Sequence, residues 1–257
     1  MKGFCPLASG SKGNCVFLET ENTKVLIDAG ISTRATKNKL AEIDVDIEDI
    51  DAILVTHDHG DHIQGLKVMA YKMGIPVFAN TETAKGIVSQ FGECPQFKIF
   101  TTGEPFEFGD LEVHPFTIPH DTMDPVAFTI RTESLKLGFC TDLGFTTSLV
   151  RTQLSDCDYL YLEANHQVSM VHACSRPPVY KQRVLGRTGH LSNQACGELL
   201  CDIASEKLKH VHLAHLSSEC NTPEVAIDTV KEVLAKQGIN LEMCIAHQDK
   251  ISKAVTF

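Results

Sequence analysis

No run of apolar residues in this chain approaches the ~20 needed to span a bilayer. The amino-terminal "MKGFCPLASGSKGN" turns to glycine and serine before an apolar stretch of signal-peptide length develops. Both absences make the cytoplasm the expected location, with no membrane attachment. There is no CxxC pair among the ten scattered cysteines, so a disulfide framework is not expected. Cys196 and Cys201 lack the spacing of a zinc knuckle, and free thiols, many of them buried, are the expectation. Repeats, low-complexity segments and long polar linkers are also missing; 257 residues with 43% apolar content suit a single domain over residues 1–257. A net charge of -10 argues against a surface that holds nucleic acid all over. One further absence is local. Between Glu163 and Glu198 no acidic residue occurs, while Arg176, Lys181, Arg183, Arg187 and three histidines do. This basic helical arm, at about 165–190, is either a solvated face or a positive wall beside an anionic substrate.

Strand and helix signals alternate in both halves. "NCVFLE" and "KVLIDAG" flank the hairpin signal "TENT". A polar helix follows Ser32, then the strand "AILVT", a helix around "GLKVMAYKM" and the strand "IPVFA". The middle carries "FEFGDLEVHPFTI", "VAFTIRT" and "LKLGFCTD" as strands. From Leu143 onward come a helix near Thr146 to Leu154, the strand "YLYLEAN", helical sequence up to about Ala204, the strand "HVHLAHL" and a last helix. Thr222 caps that helix, Pro223 fits its first position, Glu224 suits its positive end and Gly238 closes it. The expected class is α+β, a four-layer αββα sandwich with its chemistry in loops beyond the strand ends.

The densest chemistry is "DAILVTHDHGDH". An apolar strand runs into His57, Asp58, His59, Asp61 and His62. Imidazole nitrogen and carboxylate oxygen suit zinc and neighbouring divalent metals. Three histidines and one aspartate on a tight turn crowd a single ion, so His57 and His59 read as ligands of one metal, and Asp61 and His62 of another. Gly60 relaxes the backbone between them. The bland alternative, a polar loop facing water, is weak for HxHxDH directly after an apolar strand. Other residues are ambiguous singly: His120 as a loop histidine, Asp142 as a helix cap, His215 with rivals in His190, His210 and His212.

Together, "VLIDAG", "THDHGDH", "FTIPHD", "GFCTDLG" and "HLAHLS" resemble the metallo-β-lactamase superfamily over nearly the whole chain. That resemblance implies roles for residues. Asp28 braces the metal loop from behind. His57, His59 and His120 hold one ion; Asp61, His62 and His215 hold the other; Asp142 bridges both. The implied cofactors are two divalent ions, zinc or manganese with iron also compatible, roughly 3.5–4 Å apart, generating a hydroxide that attacks a clamped electrophile. Replacement of Asp61 is expected to abolish turnover.

Fold alone leaves the substrate open. The absence of an export signal and of a large inserted domain argues against secreted lactamases and β-CASP nucleases, and His59 stands where flavodiiron proteins carry a carboxylate. "SGSKGN", "LEANH", "GHLSN" and "LAHLSSECNTPE" resemble the WalJ/YycJ-type group, which implies a phosphodiesterase, most of all a DNA exonuclease. Glu163 and His190 match the pair that serves the scissile phosphate in related tRNA-processing phosphodiesterases. A carboxylate beside imidazole orients it and raises its pKa, equipping His190 as a proton donor. "SGSKGN" is no Walker A loop, since a second strand follows it; it reads mainly as a tight hairpin turn, and the resemblance, which places this loop near the metal edge, implies Ser9, Ser11 and Asn14 as substrate contacts. His166 and Asn165 are further phosphate or base contacts, and Arg183 and Arg187 guide the nucleic-acid backbone. Competing readings are a hydrolase of small cyclic or nucleotide phosphodiesters, a glyoxalase II type thioesterase, and a metal-binding scaffold without catalysis.

Overall fold

The computed structural model describes residues 2–92 and 95–257; Cys94 lies outside the described residues, and the other nine cysteines are free thiols. The chain packs as two compact units. Unit 1 comprises Met1–Pro115, Thr122–Val126 and His247–Phe257; unit 2 comprises Phe116–Asp121 and Ala127–Ala246. Among the described residues no helix is long and apolar enough to cross a membrane.

In unit 1, β1 (Gly3–Ala8), β2 (Cys15–Glu19) and β3 (Lys24–Ile27) precede α1 (Thr33–Ala41). Then follow β4 (Ala52–Leu54), the short α2 (Gly60–Ile63) and α3 (Leu66–Met69), β5 (Val77–Asn80), α4 (Thr81–Phe91) and β6 (Phe97–Phe100). Next in the chain come β7 (Phe106–Phe108) and β8 (Leu111–Thr117), and the last strand is β14 (Val255–Thr256). The first sheet has the order β14-β1-β2-β3-β4-β5-β6. β2 and β3 form the antiparallel hairpin expected around "TENT", pairing Glu19 with Lys24. From β3 to β6 the pairing is parallel, and parallel neighbours need crossovers, which the helices supply. Two are well capped: Ser32 accepts from the Ala35 N–H on α1, and Asn80 accepts from the Thr83 N–H on α4. Leu26, Ile53, Val55 and Val77 pack with Leu40, Ile63, Leu66 and Ile87 of the helices into one core.

In unit 2, β9 (Val126–Arg131) and β10 (Lys136–Cys140) lead to α5 (Ser148–Leu154) and β11 (Tyr159–Glu163). Three helices follow, α6 (Val168–Ala173), α7 (Pro178–Leu185) and α8 (Asn193–Ile203), before β12 (His210–Ala214), α9 (Pro223–Ala235) and β13 (Met243–Ile245). The second sheet has the order β13-β12-β11-β10-β9-β8-β7 and is parallel from β10 to β13. Both sheets are mixed. Leu160, Leu162, Val211 and Leu213 form the unit's core with Val150 and Leu154 of α5, Leu199 and Leu200 of α8, and Val230 and Leu234 of α9. Each fully buried leucine contributes about 1.5–3 kcal/mol. The cap on α9 is the one its sequence announces: the Thr222 side chain accepts from the Val225 N–H, and Gly238 sits beyond the end at φ 69°. The basic arm is helical, as α6 and α7. "GLKVMAYKM" instead forms a helix only at Leu66–Met69, because Gly74 turns left-handed at φ 76° and the Ile75 N–H closes back on the Met69 carbonyl.

Three strands run straight into left-handed residues: Asp28 (φ 61°) after β3, Asp142 (φ 59°) after β10 and His215 (φ 53°) after β12. Non-glycine residues adopt this region at a cost, and they concentrate at functional sites.

Candidate metal centre

In unit 1 the chain leaves β4 through Val55 and Thr56 into residues 57–62. Asp28 is almost fully buried beneath them. Its Oδ1 accepts the Thr56 N–H at 2.9 Å, while its Oδ2 accepts the Thr56 hydroxyl at 3.0 Å and His62 Nδ1–H at 2.8 Å. The Thr56 oxygen in turn accepts from His57 Nδ1 at 2.9 Å. With both Nδ1 atoms donating, the lone pairs of His57 and His62 lie on Nε2, the tautomer that a ligating histidine braced by oxygen adopts. His57 Nε2 stands 3.2 Å from His59 Nδ1, close to the ~3.3 Å edge of a tetrahedral pair at ordinary zinc–nitrogen lengths. Gly60 does not take a left-handed conformation; it opens α2 directly after His59, so the turn is a helix start rather than a product of glycine freedom. Gly30 is the glycine this site requires, since a Cβ there would stand 1.6 Å from the Asp61 carbonyl oxygen.

The residues expected from "SGSKGN" separate. Asn14 is buried, its Nδ2 3.0 Å from His62 Nε2 and its N–H donating to the Asp61 carbonyl at 2.8 Å. It buttresses the histidine loop. Ser9 is buried as well. Ser11 is exposed and, with Lys12, Asp61 and Lys67, lines an open cavity of about 380 Å³.

In unit 2 the organising residue is Glu163, at the end of β11 with no exposed surface. Its Oε2 accepts the N–H of Leu143 at 2.7 Å and of Leu191 at 3.0 Å. Its Oε1 accepts from His190 Nδ1 at 2.9 Å and from His215 Nδ1 at 3.0 Å. Burial alone would raise this carboxyl's pKa; the His190 charge and the hydrogen bonds from His190 and His215 outweigh burial and hold it below the usual carboxylate range. One oxygen therefore fixes two imidazoles through their Nδ1 atoms. His120 donates from Nδ1 to the Gly189 carbonyl at 3.1 Å, which turns its Nε2 toward Asp121 and Asp142; burial lowers its pKa, favouring the neutral ring. Asp142 Oδ1 lies 3.6 Å from the Nε2 atoms of both His120 and His215 and 3.7 Å from His190 Nδ1. It does not cap the following helix, a task Thr147 performs. Asp142, Glu163, His190 and His215 thus form one tight group with ligand chemistry.

Buried imidazoles with fixed tautomers and carboxylates between them are a donor set that fits divalent transition ions. Asp28→Asn tests the unit 1 half. An amide nitrogen facing His62 Nδ1 forces the ring to carry its proton on Nε2. Competition with a chromophoric chelator should show metal affinity lowered by ~10–100-fold; unchanged affinity would remove Asp28 from this role.

The cations of the arm are not all available to a ligand. Arg183 grips Asp121 through Nε at 2.5 Å and Nη2 at 3.1 Å. Arg176 is paired with Glu219, and Arg187 lies over the Phe145 ring at 4.0 Å. A cavity of about 350 Å³ opens here, lined by Phe145, Arg151, His166, Leu185, His190 and Ser192 among others. His166 is 2% exposed, burial pushes its pKa down to about 4, and among the described residues its Nδ1 has no hydrogen-bond partner.

Two positioning residues escaped the sequence reading or were cast differently. Thr56 ties Asp28 to both histidines, and only its place between strand and HxHxDH signals this. Asn165, read as a substrate contact, donates to the His215 carbonyl at 2.7 Å and thereby supports the strained turn.

The chain matches the sequence pattern of the "Beta-lactamase superfamily domain" over residues 23–213. It is 35% identical over 240 residues to "Exodeoxyribonuclease YycJ" of Bacillus anthracis, covering 93% of this chain and 91% of that protein. It is 35% identical to "Exodeoxyribonuclease WalJ" of Streptococcus pneumoniae, covering 91% and 89%. Among solved structures, the metallo-β-lactamase fold protein YhfI from Bacillus subtilis aligns with a TM-score of 0.72 at 14% identity, over 97% of this chain and 98% of that one. The chain therefore belongs to the metallo-β-lactamase superfamily, in the group that includes the YycJ and WalJ proteins.

Proposed function

We propose that this protein is a dinuclear metal-dependent phosphodiesterase that shortens DNA from its ends, with residues 1–257 acting as one catalytic domain. His57, His59 and His120 serve one divalent ion, Asp61, His62 and His215 the other, and Asp142 is shared; zinc and manganese both suit these donors, as does iron. When bound, such ions supply a nucleophilic water at neutral pH and a positive clamp on the phosphate oxygens. The names of the YycJ and WalJ relatives support DNA as the substrate.

The observation that carries the proposal is the Glu163 carboxylate joining His190 to His215. A hydrolase of thioesters or lactams needs no such pair. Phosphodiester cleavage does, because the departing sugar oxygen is a poor leaving group unless a proton reaches it. Glu163 holds the His190 proton on Nδ1 and stabilises the imidazolium, so that Nε2 delivers a second proton to that oxygen. His190 lines the 350 Å³ cavity, where the neutral His166 ring offers a polar contact to sugar or base. Ser11, beside Asp61, is a candidate phosphate contact; buried Ser9 acts through its backbone, and buried Asn14 acts by supporting the histidine loop with its side chain and backbone.

His190→Gln is expected to lower kcat on DNA by ~10²–10⁴-fold. On bis(p-nitrophenyl) phosphate the loss should be much smaller, since nitrophenolate leaves without a proton. Equal losses on both substrates would reject His190 as the proton donor. The arm yields a separate expectation. Arg187→Glu should weaken DNA binding and reduce the slope of log affinity against log salt by about one. Arg183→Glu should act chiefly by breaking the Asp121 pair and so destabilise α7. Titration of labelled single strands at several salt concentrations separates the two.

A further inference from the structure

We propose that His210, His212 and Cys244 form an additional transition-metal site, distinct from the hydrolytic ligand set. Spacing places His210 and His212 on the same face of β12, since side chains alternate along a strand. The parallel register of β12 and β13 pairs His212 with Cys244 and Val211 with Met243, which puts the thiol on that face too. One ligand atom from each of the three residues lies within 4.8 Å of the others. His210 Nε2 is 3.1 Å from Cys244 Sγ, and the two imidazoles meet edge to face at 4.9 Å between centroids. A tetrahedral zinc with normal bond lengths separates its nitrogen and sulfur ligands by roughly 3.3–3.7 Å, so the group needs little adjustment to close on an ion.

A second feature points the same way. The Glu242 carboxylate, one residue before β13, lies 3.3 Å from His210 Nδ1. It places the ring proton on Nδ1 and turns the lone pair of Nε2 toward the sulfur. A carboxylate behind a histidine whose other nitrogen faces a metal is the usual way such a ligand is oriented. His212 has no exposed surface and His210 only 5%. Two buried imidazoles on a strand cost desolvation energy that a purely apolar pair would avoid.

The donor set also indicates which ion binds. A thiolate with two imidazoles selects zinc, cobalt or copper over magnesium, calcium or manganese, unlike the histidine–aspartate hydrolytic set, which has no thiolate. Binding releases the thiol proton to solvent. A metal here staples the three-residue edge strand β13 to β12, giving it cohesion that three residues of pairing alone provide poorly.

The test uses the full chain loaded with cobalt(II), and its readout is independent of nuclease activity. The hydrolytic ligands contain no sulfur, so a near-ultraviolet thiolate-to-cobalt charge-transfer band is expected from Cys244 alone. Wild-type protein should show this band, and Cys244→Ser should lose it while keeping the visible cobalt bands of the histidine–aspartate set. Zinc per chain by mass spectrometry should fall by one equivalent in the same variant. Absence of the band in wild type, or its persistence in Cys244→Ser, would overturn the proposal; the wild-type spectrum decides even if the variant does not fold.

Discussion

Glu163→Gln is expected to cost more than any other single-atom change in unit 2. The carboxylate accepts four donors, two backbone N–H groups on Oε2 and two imidazole Nδ1–H groups on Oε1. An amide has one oxygen. Whichever way the glutamine side chain turns, its NH₂ faces two donors with nothing to accept. Breaking a buried charged pair by changing one partner costs ~3–5 kcal/mol, and for a protein of this size each kcal/mol moves Tm by roughly 2–4 °C. Metal-free protein should therefore melt on the order of 10 °C lower, and kcat on DNA should fall at least ~100-fold as His190 loses its partner. Acid sensitivity offers an independent check. A carboxyl held below its ordinary range stabilises the fold above the unfolded-state pKa and loses that contribution as pH falls through the folded one. The wild type should lose stability below about pH 4.5 more steeply than Glu163→Gln. A variant with wild-type Tm and the same acid slope would show that the four contacts carry no energy.

Asp142→Asn should leave the fold standing and remove activity. Asparagine tolerates the left-handed backbone that Asp142 adopts at φ 59°, so the turn after β10 survives. What disappears is the negative charge 3.6 Å from His120 Nε2 and His215 Nε2. Loss of residues that merely orient a metal ligand costs ~10–100-fold; if Asp142 is the shared ligand proposed above, its loss should exceed this, in both metal content and kcat. Metal content measured beside the unfolding curve separates this outcome from misfolding. Full activity with both metals retained would exclude Asp142 as a ligand.

Many of the candidate ligands and the residues that brace them are legible in the sequence because they stand just after apolar strands. Asp28, His57, Asp142, Glu163 and His215 all end or follow one, and the periodicity that reveals the strand also dates the arrival of the polar residue. α9 is legible for the same local reason, its cap, proline and terminal glycine all lying within the helix and its flanks. Other features depend on distant parts of the chain. The pairing of Arg183 with Asp121 and of Arg176 with Glu219 spans 62 and 43 positions, so an acid-free window looked more cationic than it is. β1 is obscured by Pro6, which is tolerated because β14 pairs only with Gly3 and Phe4 and leaves the rest of that edge without a strand partner. α4 is masked by Gly86, present because a Cβ there would stand 2.1 Å from Asp58 Oδ2. β13 and β14, with three and two residues, are too short for any alternation to show.

Product analysis of end-labelled duplex and single-stranded DNA decides whether the protein removes nucleotides from DNA ends in a metal-dependent way. Purified protein, stripped of metal and reloaded in turn with zinc, manganese and iron, should release mononucleotides progressively from one end with at least one metal. Chelation should stop the release. DNA of unchanged length under every metal would contradict the account.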